Sequence, residues 1–272
     1  MDFKKSDTVD TPIRVLQITD FHLFEAPHQT LMGVDTQKSF ETVLGWARED
    51  EWPPDLVLAT GDLAQDGGEK TYRRLQSNFA SFMVPTYWIP GNHDNPTIMQ
   101  DTLIGGQVSA DKRVKLGAWQ IILLDSTVFG NVHGELCESE LKKLDDWLTE
   151  LPDKYAMVCL HHHPIAMGSD WIEPIGLKNS EDLFVVLDRH PQVKALVWGH
   201  VHQKLAQQRN GVKLLSSPST CFQFKPHSSD FTVDTALPGY RRLDLYADGR
   251  IETRVERLED YDLSLDPNSP GY

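Results

Sequence analysis

Cysteine is scarce in this sequence. Three of the 272 residues are Cys, namely Cys137, Cys159 and Cys221, and no two of them have the Cys-x-x-Cys spacing. An odd and scattered set of this kind excludes a disulfide scaffold, a zinc ribbon and a redox motif. Reduced thiols are typical of a cytosol, so we expect a cytoplasmic protein.

Long apolar runs are also absent. No uninterrupted apolar stretch approaches the roughly 18 residues that a membrane helix needs. Residues 1–7 are mostly polar and lead into no apolar segment of the kind found in secretory signals. These absences predict a protein without a membrane partner.

Basic residues are in the minority. The chain has 26 Lys and Arg against 40 Asp and Glu, which gives a formal net charge of −14, and no basic stripe runs along it. Since a nucleic-acid groove needs clustered positive charge, we expect no nucleic-acid partner. An acidic enzyme that acts on phosphate groups would need metal ions to attract them.

The length and composition are those of one globular domain. A chain of 272 residues with 40% hydrophobic content can bury roughly 75% of the surface that its unfolded form exposes. We therefore expect a single domain over residues 1–272, with two small domains as the alternative. Its core should span about 13–215, followed by a loop and C-terminal strands over about 216–260 and by a disordered tail over about 262–272.

Short apolar strands alternate with amphipathic helices through the first two thirds of the chain. In residues 36–51 and 138–151, apolar side chains recur at i, i+3, i+4 and i+7, which predicts helices with one apolar face. Leu183 and Leu187 indicate another helix behind a Ser180 N-cap. A further helix is expected around 72–79. The expected buried strands are residues 13–18, 56–59, 87–89, 119–124, 155–160 and 195–198.

This alternation predicts an α/β layered domain whose first two thirds pair largely in parallel. Residues 239–245 and 250–255 are strand-like and are joined through Asp248-Gly249, which is a strong hairpin signal. The hairpin suits a monomer and a dimer equally, so the oligomeric state stays open. We expect Arg241 and Arg242, within this hairpin, to be a surface pair.

Residues of the kinds that bind metals follow five of the strands. In an open α/β sheet, ligands bind beyond the carboxyl ends of the strands, so these side chains should converge from distant parts of the sequence. The five segments are Asp20-Phe21-His22, Gly61-Asp62, Gly91-Asn92-His93-Asp94, His161-His162-His163-Pro164 and Gly199-His200-Val201-His202.

The donor set limits the choice of metal. Carboxylates, an amide oxygen and several imidazoles suit iron, manganese, zinc or cobalt, whereas calcium prefers oxygen donors and structural zinc favours thiolates. In an extended Asp20-Phe21-His22 segment, the first and third side chains leave the chain on the same side. One short segment can therefore supply two ligands to one ion.

The order DxH, GDxxxD, GNHD, a later His and GHxH resembles the calcineurin-like metallophosphoesterase superfamily, over residues 20–202. This resemblance implies a layered α/β/β/α sandwich of two mixed β-sheets flanked by helices. More narrowly, residues 16–20, 59–66, 161–164 and 218–227 are similar to the bacterial class III 3′,5′-cyclic AMP phosphodiesterases.

The resemblance implies two divalent ions, with iron or manganese favoured and zinc or cobalt as alternatives. It assigns Asp20, His22, Asp62 and His202 to the first ion, and Asp62, Asn92, His161 and His200 to the second. Among the tandem histidines we favour His161, because it ends its strand and aligns with the family ligand. His162 and His163 are then supporting residues.

The resemblance also implies a reaction. A hydroxide activated by two metals would open 3′,5′-cyclic AMP at the 3′ oxygen and give 5′-AMP, which lowers intracellular cyclic AMP. His93 would protonate the leaving oxygen, Asp94 would orient the His93 ring, and Asp66 would support a ligand. The residues expected to contact this small-molecule substrate are His22, Asp62, Asn92, His93 and His202.

Two other functions remain open. The same metals could cleave another phosphoester, such as a nucleotide pyrophosphate or a glycerophosphodiester, because this superfamily varies its loops. A metal-stabilised scaffold without catalysis is the other alternative, which the complete motif set disfavours. Loop roles without catalysis are favoured for His133, Lys225 and His227, and core packing is favoured over adenine stacking for Phe222, Phe224 and Phe231.

Overall fold

The computed structural model describes residues 11–49, 52–266 and 269. Its strands, in chain order, are β1 (Ile13–Ile18), β2 (Thr30–Leu31), β3 (Val34–Asp35), β4 (Leu56–Thr60), β5 (Thr86–Ile89), β6 (Val108–Ser109), β7 (Arg113–Leu116), β8 (Trp119–Leu123), β9 (Tyr155–Cys159), β10 (Val193–Trp198), β11 (Leu205–Arg209), β12 (Val212–Ser216), β13 (Gln223–Phe224), β14 (Val233–Asp234), β15 (Gly239–Leu245) and β16 (Ile251–Arg257). Its helices are α1 (Thr36–Glu49), α2 (Glu69–Ala80), α3 (Pro96–Thr102), α4 (Glu138–Glu150) and α5 (Ser180–Leu187), with a 3₁₀ turn at Glu173–Ile175.

Two six-stranded sheets form the centre of the fold. The first has the order β16-β15-β1-β4-β5-β6, and the second has the order β11-β12-β10-β9-β8-β7. In the first sheet, β1, β4, β5 and β6 pair in parallel, while β15 and β16 add antiparallel strands at one edge. In the second sheet, β8, β9, β10 and β12 pair in parallel between antiparallel β7 and β11.

Alternating side chains divide the apolar core into three layers. Along β1, Val15 faces the second sheet, whereas Leu16 and Ile18 face the helices on the outer side. The layer between the sheets also holds Met157 and Val197, both fully buried. The apolar faces of α1 and α2 cover the first sheet, and those of α4 and α5 cover the second.

The result is the expected α/β/β/α sandwich of two mixed sheets. Each of the six strands expected from the sequence is present with ends within two residues of the expectation. The expected end of the first helix, at residues 50–51, lies outside the described part of the chain. None of the helices within the described residues combines the length and the apolar character that a membrane span needs.

The surface role expected for Arg241 is wrong. Strand alternation turns Arg241 toward the layer between the sheets, where it is 1% exposed. It donates hydrogen bonds to Thr253 Oγ1 and to the carbonyl oxygens of Leu205 and Ser216. Desolvation lowers the pKa of Arg241 to about 10. Arg242 points the other way, toward Glu256.

Two smaller expectations also need correction. Ser180 is the first residue of α5 and not its N-cap, because the cap position is Asn179, whose side chain instead binds the backbone of Leu136. Residues 262–266, expected within a disordered tail, lie against the fold, since Leu263 is buried in the core and Asp266 N donates to a backbone oxygen of the fold. The rest of that expected tail, except Ser269, lies outside the described residues.

Candidate active site

The expected ligand residues meet at the carboxyl ends of strands from both sheets. Asp20 and His22 follow β1, Asp62 follows β4 and Asn92 follows β5 in the first sheet. The second sheet contributes His161 after β9, and His200 and His202 after β10. The candidate site therefore lies across the junction of the two sheets.

Distances divide these side chains into two groups that share Asp62. On one side, His22 Nε2 lies 3.1 Å from His202 Nε2 and 3.9 Å from Asp62 Oδ2. On the other side, His161 Nε2 lies 3.3 Å from the same carboxylate oxygen. Asp20 Oδ1 lies 3.5 Å from His202 Nε2. All five side chains are completely buried.

Hydrogen bonds fix which nitrogen of three histidines faces the site. The Nδ1 atom of His22 lies 2.7 Å from Gln65 Oε1, that of His161 lies 2.8 Å from the carbonyl oxygen of Thr60, and that of His202 lies 2.8 Å from the carbonyl oxygen of Phe222. Each partner is an acceptor, so each Nδ1 carries the proton. When such a ring is neutral, its lone pair is on Nε2, which is the atom that points into the site.

This arrangement suits bound cations. With both Nδ1 atoms protonated, His22 and His202 direct two Nε2 lone pairs at each other across 3.1 Å, a repulsive contact that a cation between them relieves. Among the described residues, Asn92 Oδ1 and both ring nitrogens of His200 are buried and have no hydrogen-bond partner. Buried polar atoms nearly always have a hydrogen-bond partner, so three atoms without one at the same site fit metal ligation.

The tandem histidines differ in what their nitrogens contact. His162 Nδ1 lies 2.8 Å from Ser126 Oγ, and its Nε2 lies 3.1 Å from the carbonyl oxygen of Val132. Both nitrogens of His162 therefore have hydrogen-bond partners outside the ligand set, although one of them lies within 4.8 Å of ligand atoms of His161 and His200. The His163 ring is stacked on the His200 ring, with centroids 5.5 Å apart. His161 is thus the tandem histidine whose Nε2 atom faces Asp62.

The two carboxylates are held by backbone N–H groups. Asp62 Oδ1 accepts a hydrogen bond of 2.9 Å from His93 N, which leaves Oδ2 toward His22 and His161. Both carboxylate oxygens of Asp20 lie within 3.1 Å of His200 N. These bonds connect neighbouring ligand segments to one another.

Unusual backbone conformations are concentrated at the site. Asp20, His22, Asp62, His200 and His202 have φ angles between 47° and 67°, in the left-handed region that non-glycine residues rarely adopt. Such strain persists where the surrounding structure enforces it, which is characteristic of functional sites.

Close backbone approach explains a glycine in one of the motifs. A Cβ atom on Gly91 would lie 2.2 Å from Asp62 Oδ1, well inside van der Waals contact. Gly91 therefore lets the turn after β5 pass directly against the carboxylate that both groups share.

Burial and charge shift the pKa values of the site residues. Burial raises the pKa of Asp20 to about 8, and the neighbouring Asp62 charge adds to the shift while His161 opposes it. Burial would also raise the pKa of Asp62, but the imidazoles around it hold that pKa well below its usual range. Desolvation lowers the pKa of His22 to about 3 and those of His200 and His202 well below their usual range. Burial also opposes protonation of His161, but the Asp62 carboxylate outweighs it and raises the pKa of His161 to about 9. Because divalent metals bind neutral imidazoles and ionised carboxylates, metal binding would release the protons of His161 and Asp20.

His93 lies at the edge of this cluster. Its ring is edge-on to that of His22 with centroids 5.1 Å apart, and unlike the aspartate and histidine ligands it is partly exposed. A group that must meet a substrate needs this access.

Asp94 makes different contacts from those expected. Its carboxylate accepts hydrogen bonds from Leu63 N, Ala64 N, Gly91 N and Tyr72 Oη, and the His93 ring is not among these four partners. Desolvation raises the pKa of Asp94 to about 6, although the backbone donors oppose that shift. Asp94 thus joins the turn after β4 to the turn after β5.

Asp66 also bonds to backbone N–H groups, and neither of its two hydrogen-bond partners is a ligand side chain. Its carboxylate accepts from Glu25 N and Gly68 N. The neighbouring Gln65, which the sequence analysis did not single out, is the residue that contacts His22. Its place three positions after Asp62, in the same motif, is the signal that could have identified it.

Aromatic side chains that follow β12 pack against two histidines of the site. Phe222 and Phe224 are buried, and the Phe224 ring stacks on His202 with centroids 4.0 Å apart and planes 13° apart. Phe222 and Phe224 therefore pack in the core, as expected. Phe231 contacts Phe224 in the same aromatic cluster. His133 is half-buried between two residues that contact His162.

Comparison with known proteins agrees with this geometry. Residues 13–204 match the calcineurin-like phosphoesterase family. The chain is 46% identical over 261 residues to the 3′,5′-cyclic adenosine monophosphate phosphodiesterase CpdA of Escherichia coli strain K12, covering 96% of this chain and 95% of that protein. It is 43% identical over 256 residues to a 3′,5′-cyclic-nucleotide phosphodiesterase of Nostoc, covering 94% and 96% of the two chains.

A solved structure shares the fold at low sequence identity. The crystal structure of a dimetal phosphatase from Danio rerio superposes with a TM-score of 0.60 at 16% identity, covering 90% of this chain and 99% of that one. From the family match and the two nearly full-length relatives, the chain belongs to the calcineurin-like phosphoesterase family.

Proposed function

We propose that this protein hydrolyses 3′,5′-cyclic AMP to 5′-AMP at a centre of two divalent metal ions, and so lowers the intracellular cyclic AMP concentration. One observation carries the metal chemistry: two groups of buried ligand atoms meet at the shared carboxylate of Asp62. The substrate class is supported by the nearly full-length similarity to cyclic AMP phosphodiesterases.

The two groups would hold one ion each. In this proposal the first set is Asp20, His22, Asp62 and His202, and the second is Asp62, Asn92, His161 and His200. The proximity of His161 to both Asp62 and His200 and the unpaired Asn92 Oδ1 support the second set. Mixed oxygen and nitrogen donors favour iron or manganese in this proposal, and zinc or cobalt would fit the same ligands. When bound, the ions would supply Lewis-acid polarisation of the phosphoryl oxygens and would lower the pKa of a bound water.

The protein's own residues hold and orient the reacting groups. Asp62 is fixed by His93 N, so its other oxygen stays between the two histidine groups. The carboxylates of Asp20 and Asp62 would repel an anionic phosphodiester, and the chain as a whole carries a net charge of −14. Attraction of the substrate therefore depends on cations held locally by this site.

His93 is the proposed proton donor to the leaving 3′ oxygen. Its backbone is tied to Asp62, and its partly exposed ring lies beside His22. Protonation at this position lets the 3′ oxygen leave as a hydroxyl group and yields the 5′-monophosphate. The proposed substrate contacts are His22, Asp62, Asn92, His93 and His202.

Asp94 is assigned a positioning role in this proposal. Its four hydrogen bonds hold the turns that carry Asp62 and Asn92, and Tyr72 contributes one of them. A carboxylate with these partners is engaged by the backbone and does not need to act on the substrate.

We also propose that residues 1–272 form a single domain that acts in the cytoplasm on a small-molecule substrate. The thiols of Cys137, Cys159 and Cys221 are all free, which is the usual state in a reducing compartment. The acidic net charge gives no electrostatic basis for nucleic-acid binding.

Hydrolysis of defined substrates tests the proposal. Metal-reconstituted protein is incubated with 3′,5′-cyclic AMP, 2′,3′-cyclic AMP and bis(p-nitrophenyl) phosphate, and the products are identified by chromatography. His93→Ala is compared with His190→Ala, whose histidine precedes β10 and therefore lies at the end of that strand opposite the site. We expect 5′-AMP from 3′,5′-cyclic AMP, with turnover reduced about 10²- to 10⁴-fold in His93→Ala and unchanged in His190→Ala.

Other outcomes separate the parts of the proposal. Cleavage of the generic diester alone would contradict the cyclic AMP assignment and retain the dimetal chemistry. Bound metal without hydrolysis of any of the three phosphoesters would favour a scaffold without catalysis.

A further inference from the structure

The proposed metal centre depends on the spacing of the two sheets. Asp20, His22, Asp62 and Asn92 come from the first sheet, and the three remaining histidines come from the second. A change in the distance between the sheets at this end would separate the two halves of the ligand set. In protein metal sites, metal–ligand distances stay within about 0.2 Å of their usual values.

A polar side chain crosses between the sheets directly below the site. Strand alternation places Ile13 and Val15 in the apolar layer between the sheets, and Gln17 is next on the same face. Gln17 is completely buried. An amide in this layer must have its hydrogen bonds satisfied to be tolerated.

The Gln17 carboxamide bonds both sheets at once. Its amide nitrogen donates to Thr60 Oγ1 at 2.9 Å in the first sheet and to the carbonyl oxygen of Trp198 at 3.1 Å in the second. Its amide oxygen accepts from the hydroxyl of Ser217, just after β12. Both donors and the acceptor of the amide are therefore in use.

Gln17 and two of its three partners are close in sequence to a ligand. Gln17 precedes Asp20 by three residues, Thr60 precedes Asp62 by two, and Trp198 precedes His200 by two. The carbonyl oxygen of Thr60 also accepts the proton of His161 Nδ1, so the same short segment orients a ligand from the second sheet. A shift at Gln17 is thus transmitted to both halves of the site over two or three residues.

A neighbouring residue reinforces the connection. Arg241 is the register partner of Gln17 on β15 and faces the same layer. Its guanidinium donates to the carbonyl oxygens of Leu205 and Ser216 in the second sheet. Together these contacts make the layer polar at the end that carries the site.

We propose that Gln17 is a positioning residue that fixes the spacing of the two sheets at the metal centre and thereby sets metal affinity. This inference rests on the proposed dimetal function. The carboxamide is required because ionised Glu lacks the donors and an apolar side chain lacks both donors and acceptor. Replacement would leave the Trp198 carbonyl and the Thr60 hydroxyl without this partner between the sheets.

The test compares Gln17→Met with Gln120→Met. Gln120 is an equally buried glutamine on β8, bonded to Arg113, and it lies near the start of its strand, away from the carboxyl ends that form the site. Metal-free protein is titrated with Mn²⁺, and free Mn²⁺ is measured by electron paramagnetic resonance. Thermal unfolding of the same metal-free samples reports the structural cost of each substitution.

We expect wild type to bind two ions, and Gln17→Met to bind at least one of them about 10- to 100-fold more weakly. Gln120→Met should lower the unfolding temperature but keep wild-type Mn²⁺ affinity. Excess Mn²⁺ should restore turnover of bis(p-nitrophenyl) phosphate by Gln17→Met. If Gln17→Met does not fold, Gln17→Glu, which keeps the volume and the acceptor for Ser217, must show the same loss of affinity.

Three results would overturn the inference. Wild-type affinity for both ions in a folded Gln17 variant would refute it and leave the proposed function intact. An equal loss of Mn²⁺ affinity in Gln120→Met would show that the loss in Gln17→Met comes from general destabilisation. Failure of wild type to bind two ions would refute both this inference and the proposed function.

Discussion

Gly91→Ala should disrupt the centre through a single methyl group. The new Cβ would lie 2.2 Å from Asp62 Oδ1 and 2.4 Å from Asp62 N, whereas ordinary contacts begin at 3.4 Å. The φ angle of Gly91 lies outside the left-handed region, so alanine can adopt this backbone and the clash is the effect that is measured. Asp62 would have to move by about 1 Å, several times the range of about 0.2 Å within which metal–ligand distances normally stay.

The expected magnitudes follow from that displacement. Overpacking of this kind costs about 1–3 kcal/mol of the free energy of unfolding. Misplacement of a reacting group by 1 Å can lower turnover about 100-fold. Gly45→Ala is the matched control, because nothing lies within 4 Å of its added Cβ in α1. In a helix interior that substitution should stabilise the protein by about 1 kcal/mol.

Two assays separate stability from function. Denaturant unfolding of metal-free protein gives the change in free energy of unfolding for each variant. Phosphodiester turnover and bound-metal content at one fixed Mn²⁺ concentration report on the site. Wild-type turnover and metal content in Gly91→Ala, or an equal loss in Gly45→Ala, would refute the assignment of Gly91 as the residue that gives Asp62 its space.

Three further predictions concern the same site and the thiols. Gln65→Leu should weaken Mn²⁺ binding about 10- to 100-fold, because His22 Nδ1 loses its acceptor at 2.7 Å; unchanged affinity in a Mn²⁺ titration would contradict this role. Burial raises the pKa of the Cys159 and Cys221 thiols, whereas Cys137 is exposed. Native protein should therefore react rapidly with Ellman's reagent at Cys137 alone, and denatured protein should react at all three thiols. Fast reaction of more than one thiol in native protein would contradict this prediction. Chelation should lower the unfolding temperature measured by calorimetry, since ligand at 100 times its Kd stabilises a protein by about 2.7 kcal/mol; a temperature independent of chelator would count against tight metal binding.

The strands and the ligand segments were accessible from the sequence because both are local patterns. A buried strand such as β10 is a short apolar run, and Gly199 to His202 follow it without interruption. Parallel pairing then brings the strand ends to one edge. No detail of packing is needed to predict that these residues converge.

The supporting contacts could not be predicted in this way. The carbonyl oxygens of Thr60 and Phe222 that orient His161 and His202 belong to residues whose identity says nothing about the contact. The sequence analysis wrongly placed Arg241 on the surface because an Arg-Arg pair in a hairpin is usually exposed. The burial of Arg241 depends on contacts with the second sheet, whose residues are distant in the sequence. Long-range register, which a single sequence does not display, decides such contacts.

The most direct test of the dimetal centre is a crystal structure of protein loaded with Mn²⁺, with anomalous diffraction recorded at the manganese edge. We predict two anomalous peaks about 3.5–4 Å apart, with Asp62 between them, one peak beside His22 and His202 and the other beside His161 and His200. A single peak, or peaks that do not share Asp62, would contradict the account.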